Sequence, residues 1–300
     1  MPELPDVVAY CDALTERIGG EPLLRASIVN PFVLRTVDPP LTAIENRRVV
    51  DVRRMGKRIV IAFDNEVFLV IHLMVAGRFR WLPADKKPPG RITLALFEFP
   101  RGTLVLTEAG TKRRASLHVV RGEEALREFD MGVLEVAGVD FASFAERLRA
   151  ENHTLKRALT DPHILSGIGN AYSDEILHRA KLSPIAHTQK LDDAQLTRLL
   201  DATNDVLAEW TQRLRSEAGG AFPEKVTAFR PQMAVHGKFR EPCPVCGTPI
   251  QRIVYADNEA NYCPTCQTDG KLLADRSLSR LLKEDWPKTL EELEERRRPR

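Results

Sequence analysis

Three hundred residues, 43% of them hydrophobic, are enough to bury a substantial core and suggest two or three domains in one chain. No apolar run approaches the roughly 20 residues of a membrane helix, and the N-terminus lacks a basic flank followed by an apolar core, so cytoplasmic residence and no membrane partner are expected. A formal charge of +2 does not by itself announce a nucleic-acid binder, which leaves that question to where the cations lie.

The chain opens Met-Pro-Glu-Leu-Pro-Asp. With Met1 removed, it would begin with a proline whose ring nitrogen is a free secondary amine next to the carboxylate of Glu3. The reference pKa of an α-amine, ~7.7 to 8.0, leaves a useful unprotonated fraction near neutrality. Attack of such an amine on an aldehyde-level carbon, for example C1′ of a deoxyribose, gives an iminium that draws electrons from neighbouring C–H bonds. The bland alternative is a leader into a helix, since many chains start Met-Pro. From Asp6 to Gly20, the residues Val7, Cys11, Leu14 and Ile18 recur at helical spacing, with Gly19-Gly20 as a stop. The dipole of that helix favours an anionic Glu3 and a neutral Pro2 amine. Cys11, on its apolar face, reads as core.

From Leu24 to about Val120 the pattern is strand-rich, with runs at Arg47–Arg54, Ile59–Phe63, Glu66–Leu73, Ile92–Phe99 and Thr103–Thr107 separated by Gly, Pro, Asp and Asn. That spacing predicts a β-sandwich flanked by the first helix. Cations gather at Arg53-Arg54 with Lys57-Arg58 and at Lys112-Arg113-Arg114, each cluster either a solvated face or a phosphate contact. Between Phe141 and Leu214 helical patterns take over, at Ser143–Arg149, Leu155–Thr160, Tyr172–Arg179 and Asp192–Leu214. Among them lies Ser166-Gly-Ile-Gly-Asn170, a turn feeding a helix start. It is either a cradle of N–H groups for one phosphate, with Asn170 adding a donor, or a helix corner in which Asn170 only caps. A connector over residues 215–242 leads to Cys243-Pro-Val-Cys246 and Cys263-Pro-Thr-Cys266, sixteen residues apart. Two such knuckles suit tetrahedral Zn²⁺, with strand-like Ile250–Tyr255 and a turn at residues 256–259 completing a zinc ribbon, while disulfides fit a chain without a secretion signal less well. Beyond it, Ser277–Arg300 reads as a mixed-charge helical tail, solvated or supporting a dimer.

Together these stretches resemble the formamidopyrimidine-DNA glycosylase and endonuclease VIII family over nearly the whole chain. The likeness rests on the opening pentapeptide, Met55-Gly56-Lys57, His72-Leu73 with Gly77, Leu155-Lys156, Gly167-Ile-Gly-Asn-Ala-Tyr-Ser-Asp-Glu175, and the two knuckles with Gly247 and Gln267. The resemblance implies an α+β multidomain protein: an N-terminal β-sandwich with its flanking helix over 1–130, a helix-two-turn-helix domain over 131–225, a zinc ribbon with its connector over 226–271 and a helical tail over 272–300. It implies a monomeric bacterial enzyme of base-excision repair, at work on the nucleoid. Both activities, glycosylase and abasic-site lyase, would act on double-stranded DNA bound in the cleft between the lobes. By the same likeness Pro2 is the nucleophile, Glu3 the acid that helps open the sugar ring and shuttles protons, and Lys57 a phosphate contact or proton-transfer aid. Asn170 would clamp a backbone phosphate, with Lys156 and Tyr172 as further contacts near that strand, and Cys243, Cys246, Cys263 and Cys266 would hold one structural zinc.

Three places depart from the family pattern. The usual Gly-Met-Ser-Gly is Met74-Val75-Ala76-Gly77 here, so the wedge filling the space of an extruded base would be Val75, or Met74 if the strand shifts. Arg113 and Arg114 remain for the opposite strand, but the aromatic partner that follows them is Ala115. On the ribbon, Asn258 stands where an arginine is usual, followed by the anionic Glu259, with Lys238 and Arg252 as candidate compensation. These changes touch lesion choice, and an oxidised pyrimidine or an abasic site fits the chain as well as 8-oxoguanine. A non-catalytic relative that binds damaged DNA is the alternative, as is a structural zinc-ribbon protein with solvated basic clusters.

Overall fold

The computed structural model describes residues 1–83, 86–130, 133–224, 226–255, 258–274 and 287–297. They group into two units, one of Met1–Val133 with Ala208–Ala228, the other of Leu134–Leu207 with Phe229–Arg300. No helix among the described residues is long and apolar enough to cross a membrane.

The first unit is built on helix α1 (Leu4–Ile18) and two antiparallel sheets. One sheet runs β1 (Pro22–Leu23), β3 (Arg47–Met55), β4 (Arg58–Phe63), β5 (Val67–His72) and β9 (Ser116–Arg121) in that order, and the other β2 (Arg25–Ile28), β7 (Thr93–Phe99), β8 (Gly102–Glu108) and β6 (Gly77–Leu82). Alternation along β4 and β5 sorts their side chains. Ile59, Ile61, Leu69 and Ile71 join a core shared with Phe79, Phe97, Leu104 and Leu106 of the second sheet and with Tyr10, Leu14 and Ile18 of α1. Val60, Ala62, Phe68 and Val70 face the other way and pack with Leu126 of the short helix α2 (Gly122–Arg127). Central strands buried on both faces explain why these runs read as nearly continuous apolar stretches. Phe222 and Val226, well beyond the sandwich in chain order, complete the same core.

Several expectations shift at their edges. Helix α1 starts at Leu4, two residues before the expected Asp6, and Glu66 is a left-handed turn residue (φ 58°) ahead of β5 rather than its first member. Strands β6 and β9 carry Arg78, Arg80 and His118 between their apolar residues, which hid them among the loops of the sequence.

In the second unit, helices α3 (Phe141–Arg149), α4 (Leu155–Thr160), α5 (Asn170–Arg179) and the first part of α6 (Asp193–Ala218) accompany a parallel bridge of β10 (Leu134–Glu135) with β11 (Leu165–Ser166). The hairpin of β12 (Gln251–Tyr255) and β13 (Asn258–Tyr262) leads to α7 (Pro264–Thr268), with Val235, Ile250, Cys243 and Cys263 forming its own small core. Asn258 and Glu259, expected in a turn, are strand residues paired with Tyr255 and Val254. Of the expected tail helix, α8 (Leu290–Arg297) is seen, while residues 275–286 and 298–300 lie outside the described residues.

Candidate functional site

Glu3 is the N-cap of α1 and closes a capping box with Asp6, whose Oδ2 accepts the Glu3 N–H at 3.0 Å. Both acids are buried, Glu3 to 2% exposure, at the end of a helix where its dipole favours negative charge. Pro5 occupies the first turn, where a missing N–H is harmless, and Pro2 is buried just outside it. The Met1 amine, which precedes Pro2, is held below its ordinary value of 8.0, chiefly by burial. The anions Glu3 and Asp6 oppose that effect, and the cations Arg78 and Lys57 add to it.

Lys57 follows Gly56 in the turn between β3 and β4, half-buried, and burial pushes its ammonium down against the pull of Glu3. His72 ends β5, paired across the sheet with Arg58 and Ser116. Burial first, then Arg58, Lys57 and His118, lower its pKa to about 4, so the ring is neutral near pH 7. Neither His72 nor Arg78 carries a role in the reading of the sequence. The only signal for His72 was its place in the matched His-Leu dipeptide, and Arg78 had none.

After β5 the chain turns through Met74, at φ 51° and half-buried, to Val75, 59% exposed at the tip. A Cβ on Gly77 would meet the Leu73 carbonyl oxygen at 2.2 Å, so this tight turn requires glycine there. Arg113 and Arg114 are exposed in the loop after β8. Buried Glu108 organises that loop by accepting the N–H groups of Arg114 and Ala115 at 3.0 Å, and Arg113 Nη2 donates to the Arg91 carbonyl at 2.6 Å. Ala115 is buried at 3%, so the position that lost its aromatic ring belongs to the core here.

In the second unit Asn170 is the first residue of α5, half-buried behind Gly169 as N-cap, with Gly167 at φ 93°. Lys156 and Tyr172 turn inward. Lys156 Nζ donates to Asn170 O (2.7 Å), Ser173 Oγ (2.8 Å) and Asp174 Oδ1 (2.5 Å), which uses all three of its protons, and Tyr172 is 2% exposed. Lys156 thereby braces the Asn170 turn from inside. Asp174 also accepts from His236 Nδ1 at 2.7 Å and Asn261 Nδ2 at 3.2 Å. Glu175 accepts the backbone N–H groups of Ala234, Val235 and His236 at 2.7 to 2.9 Å.

The Sγ atoms of Cys243, Cys246, Cys263 and Cys266 all lie within 4.8 Å of one another, with Cys246–Cys263 at 3.4 Å and Cys243–Cys266 at 3.9 Å. Four thiolates 2.3 Å from a tetrahedral ion would stand about 3.8 Å apart, so the donor set fits a four-coordinate metal site. His178 on α5 places Nε2 3.3 Å from Cys243 Sγ, and Gln267 receives the Cys263 N–H at 2.8 Å. On the hairpin, Arg252 pairs with Glu259 at 3.0 Å and Lys238 with Glu241 at 3.0 Å, so both candidate compensating cations already hold an anion. Asn258 pairs through its backbone, and its side chain lies outside the described residues. Cys11 is a core residue of α1, its thiol pushed up to about 12 by burial.

Three family models match the chain. They are the formamidopyrimidine-DNA glycosylase N-terminal domain over residues 1–115, the formamidopyrimidine-DNA glycosylase H2TH domain over 135–217, and a zinc finger found in FPG and IleRS over 240–268. The formamidopyrimidine-DNA glycosylase of Thermus thermophilus is 33% identical over 283 residues, covering 90% of this chain and all of the relative. An uncharacterized formamidopyrimidine-DNA glycosylase-like protein of Mycobacterium tuberculosis is 44% identical over 151 residues, half of this chain and 91% of its own. Among solved structures, the Lactococcus lactis formamidopyrimidine-DNA glycosylase with Fapy-dG-containing DNA superposes with a TM-score of 0.79 at 24% identity, covering 89% of this chain and all of that one. The same protein non-covalently bound to DNA with an AP site gives a TM-score of 0.78.

Proposed function

The chain belongs to the formamidopyrimidine-DNA glycosylase family, a family of DNA repair glycosylases, and we propose that it is a bifunctional glycosylase and abasic-site lyase using Pro2 as its nucleophile. The observation that carries this reading is the N-terminal turn of α1: Pro2 and Glu3 are both buried at the helix N-terminus, with Lys57 close enough to feel the Glu3 carboxylate. A terminal secondary amine carries a useful unprotonated fraction near neutral pH, so it can attack without a general base.

With Met1 removed, the Pro2 nitrogen attacks C1′, the N-glycosidic bond breaks, and the base leaves with the electron pair and a proton. The Glu3 carboxylate takes the proton that the newly bonded Pro2 nitrogen releases and passes it to the ring oxygen as the sugar opens to the iminium, while the leaving base draws its proton from water. The positive nitrogen then acidifies the C2′ hydrogen, and loss of that proton expels the 3′ phosphate by β-elimination. Water adds to the iminium carbon and releases Pro2. Because a base inside a duplex is out of reach, the nucleotide is extruded first, at a cost of a few kcal/mol that is least at a damaged or missing base.

Val75 or Met74 fills the vacated space, Arg113 and Arg114 meet the opposite strand, and Asn170 with the α5 N-terminus holds one phosphate. Asn258, at the hairpin position where an arginine is usual in the family, is the ribbon's candidate phosphate contact. The substrate is double-stranded DNA carrying an oxidised base or an abasic site, in keeping with the Fapy-dG and AP-site DNA held by the Lactococcus lactis relative. The four thiolates suit Zn²⁺ in a structural role, since they leave no open coordination position for water.

Borohydride trapping on a duplex with an abasic site tests the reading. A covalent adduct that disappears in Pro2→Gly supports it, whereas tight binding of the same duplex with no adduct would identify a non-catalytic damage binder instead.

A further inference from the structure

Arg78, the second residue of β6, stands where several backbone segments meet. Its Nη1 donates to the carbonyls of Gly77 (2.6 Å) and Val75 (3.2 Å), within the turn that carries the wedge candidates, and its Nε donates to the Val226 carbonyl at 2.6 Å. Val226 ends a stretch seated on the sandwich by Phe222, whose ring lies 5.8 Å from Tyr10 and 6.4 Å from Trp81, and by Arg17, whose Nη2 donates to Gly220 O at 2.8 Å. Tyr10 in turn accepts the N–H of Phe79 at 3.3 Å, which ties the residue next to Arg78 to the helix that presents Pro2.

We propose that Arg78 is a positioning residue for the proposed lyase reaction, a fork that holds the Val75 turn and the Val226 stretch in one arrangement beside the N-terminal amine. The proposal rests on the reading of Pro2 as nucleophile. A planar guanidinium can serve three carbonyls at fixed angles from one side chain, whereas a lysine ammonium is a point donor on a flexible stem. Its charge acts on the amine as well. The charged groups that act on the Met1 amine, one residue before Pro2, are Glu3 and Asp6 from α1, Lys57 from the β3–β4 turn and Arg78 from β6. Once Met1 is removed and the Pro2 amine takes that place among the same groups, removing Arg78 would leave two anions against one cation and tip the amine toward its protonated, unreactive form.

The test measures borohydride trapping on a preformed abasic site against pH, together with excision of an oxidised pyrimidine, for the full chain and for R78Q and R78K. R78Q is expected to shift the trapping midpoint upward by about half a pH unit. R78K keeps the charge and hence the midpoint. With the fork gone, though, its excision relative to abasic trapping is expected to fall about tenfold, the scale of small misplacements in an active site. An R78Q midpoint identical to that of the unaltered chain, or R78K excision at the unaltered rate, overturns the proposal. Should R78Q melt below the assay temperature, the R78K ratio decides alone. An unaltered chain that never traps DNA overturns the lyase reading itself, a result distinct from unaltered trapping in both variants.

Discussion

Glu3 does two things at one position: its backbone begins a helix, and its carboxylate faces the amine. Asp6 is what keeps these compatible, because it takes up the Glu3 N–H and thereby fixes the peptide on which Pro2 sits. Asp6→Ala is expected to lower stability by about 1 kcal/mol through the lost cap, read from denaturant midpoints, and to reduce trapping by a larger factor than that loss implies. His72 gives a pH signature. Its folded pKa, about 4, lies below the ordinary 6.5, so the unfolded chain binds the proton more readily. Stability is therefore full above pH 6.5 and declines as pH falls toward 4, by on the order of 3 kcal/mol at the acid limit. In His72→Gln that slice of the pH profile should flatten, and a profile that keeps its slope would remove His72 as the cause.

At the scale of elements, α5 is held along its length from inside its own unit. Lys156 grips its first carbonyl, Asp174 gathers Lys156, His236 and Asn261, Glu175 receives three backbone N–H groups, and His178 reaches Cys243. Lys156→Met would strip the cation from an Asp174 side chain with no exposure at all, and the expected cost is ~3 kcal/mol. The measurement is again chemical denaturation, and weakened binding of an intact abasic duplex should accompany it because the Asn170 turn loses its brace. The four-cysteine cluster of the ribbon is local in the same way, and its proposed zinc gives a direct test. Elemental analysis should find one zinc per chain, lost in Cys263→Ser and retained in Cys11→Ala. Chelation should unfold the β12–β13 hairpin, since binding free energy at such a site is folding free energy.

For the whole molecule, the near-neutral net charge means that DNA affinity comes from placed cations rather than from overall attraction. Neutralising Arg113 and Arg114 together to Gln should lower the slope of log K against log salt by about 1.8, two phosphate contacts at ~0.9 each. An unchanged slope would remove both from the interface. Chain order and spatial grouping also part company at this scale. Ala208–Ala228, the last part of α6 and the stretch after it, continues the helical segment in sequence yet groups with the N-terminal sandwich, where Phe222 and Val226 enter the core.

What could be read without coordinates was whatever a short contiguous window contains. The four cysteines, the helical periods of α4 and α6, the paired strands β3 to β5 and β7 to β8, and the motifs of the family all lie in such windows, where spacing alone dictates geometry. Tertiary structure decided the rest, because it depends on which distant backbone meets which side chain. That the Lys156 ammonium is shared among Asn170, Ser173 and Asp174 is visible only in the fold. Glu108 lies just past the predicted run Thr103–Thr107 and carries no signal in the sequence, yet its buried carboxylate organises the Arg113–Arg114 loop. Arg78 reaches a carbonyl 148 residues away, and no local pattern can encode that distance.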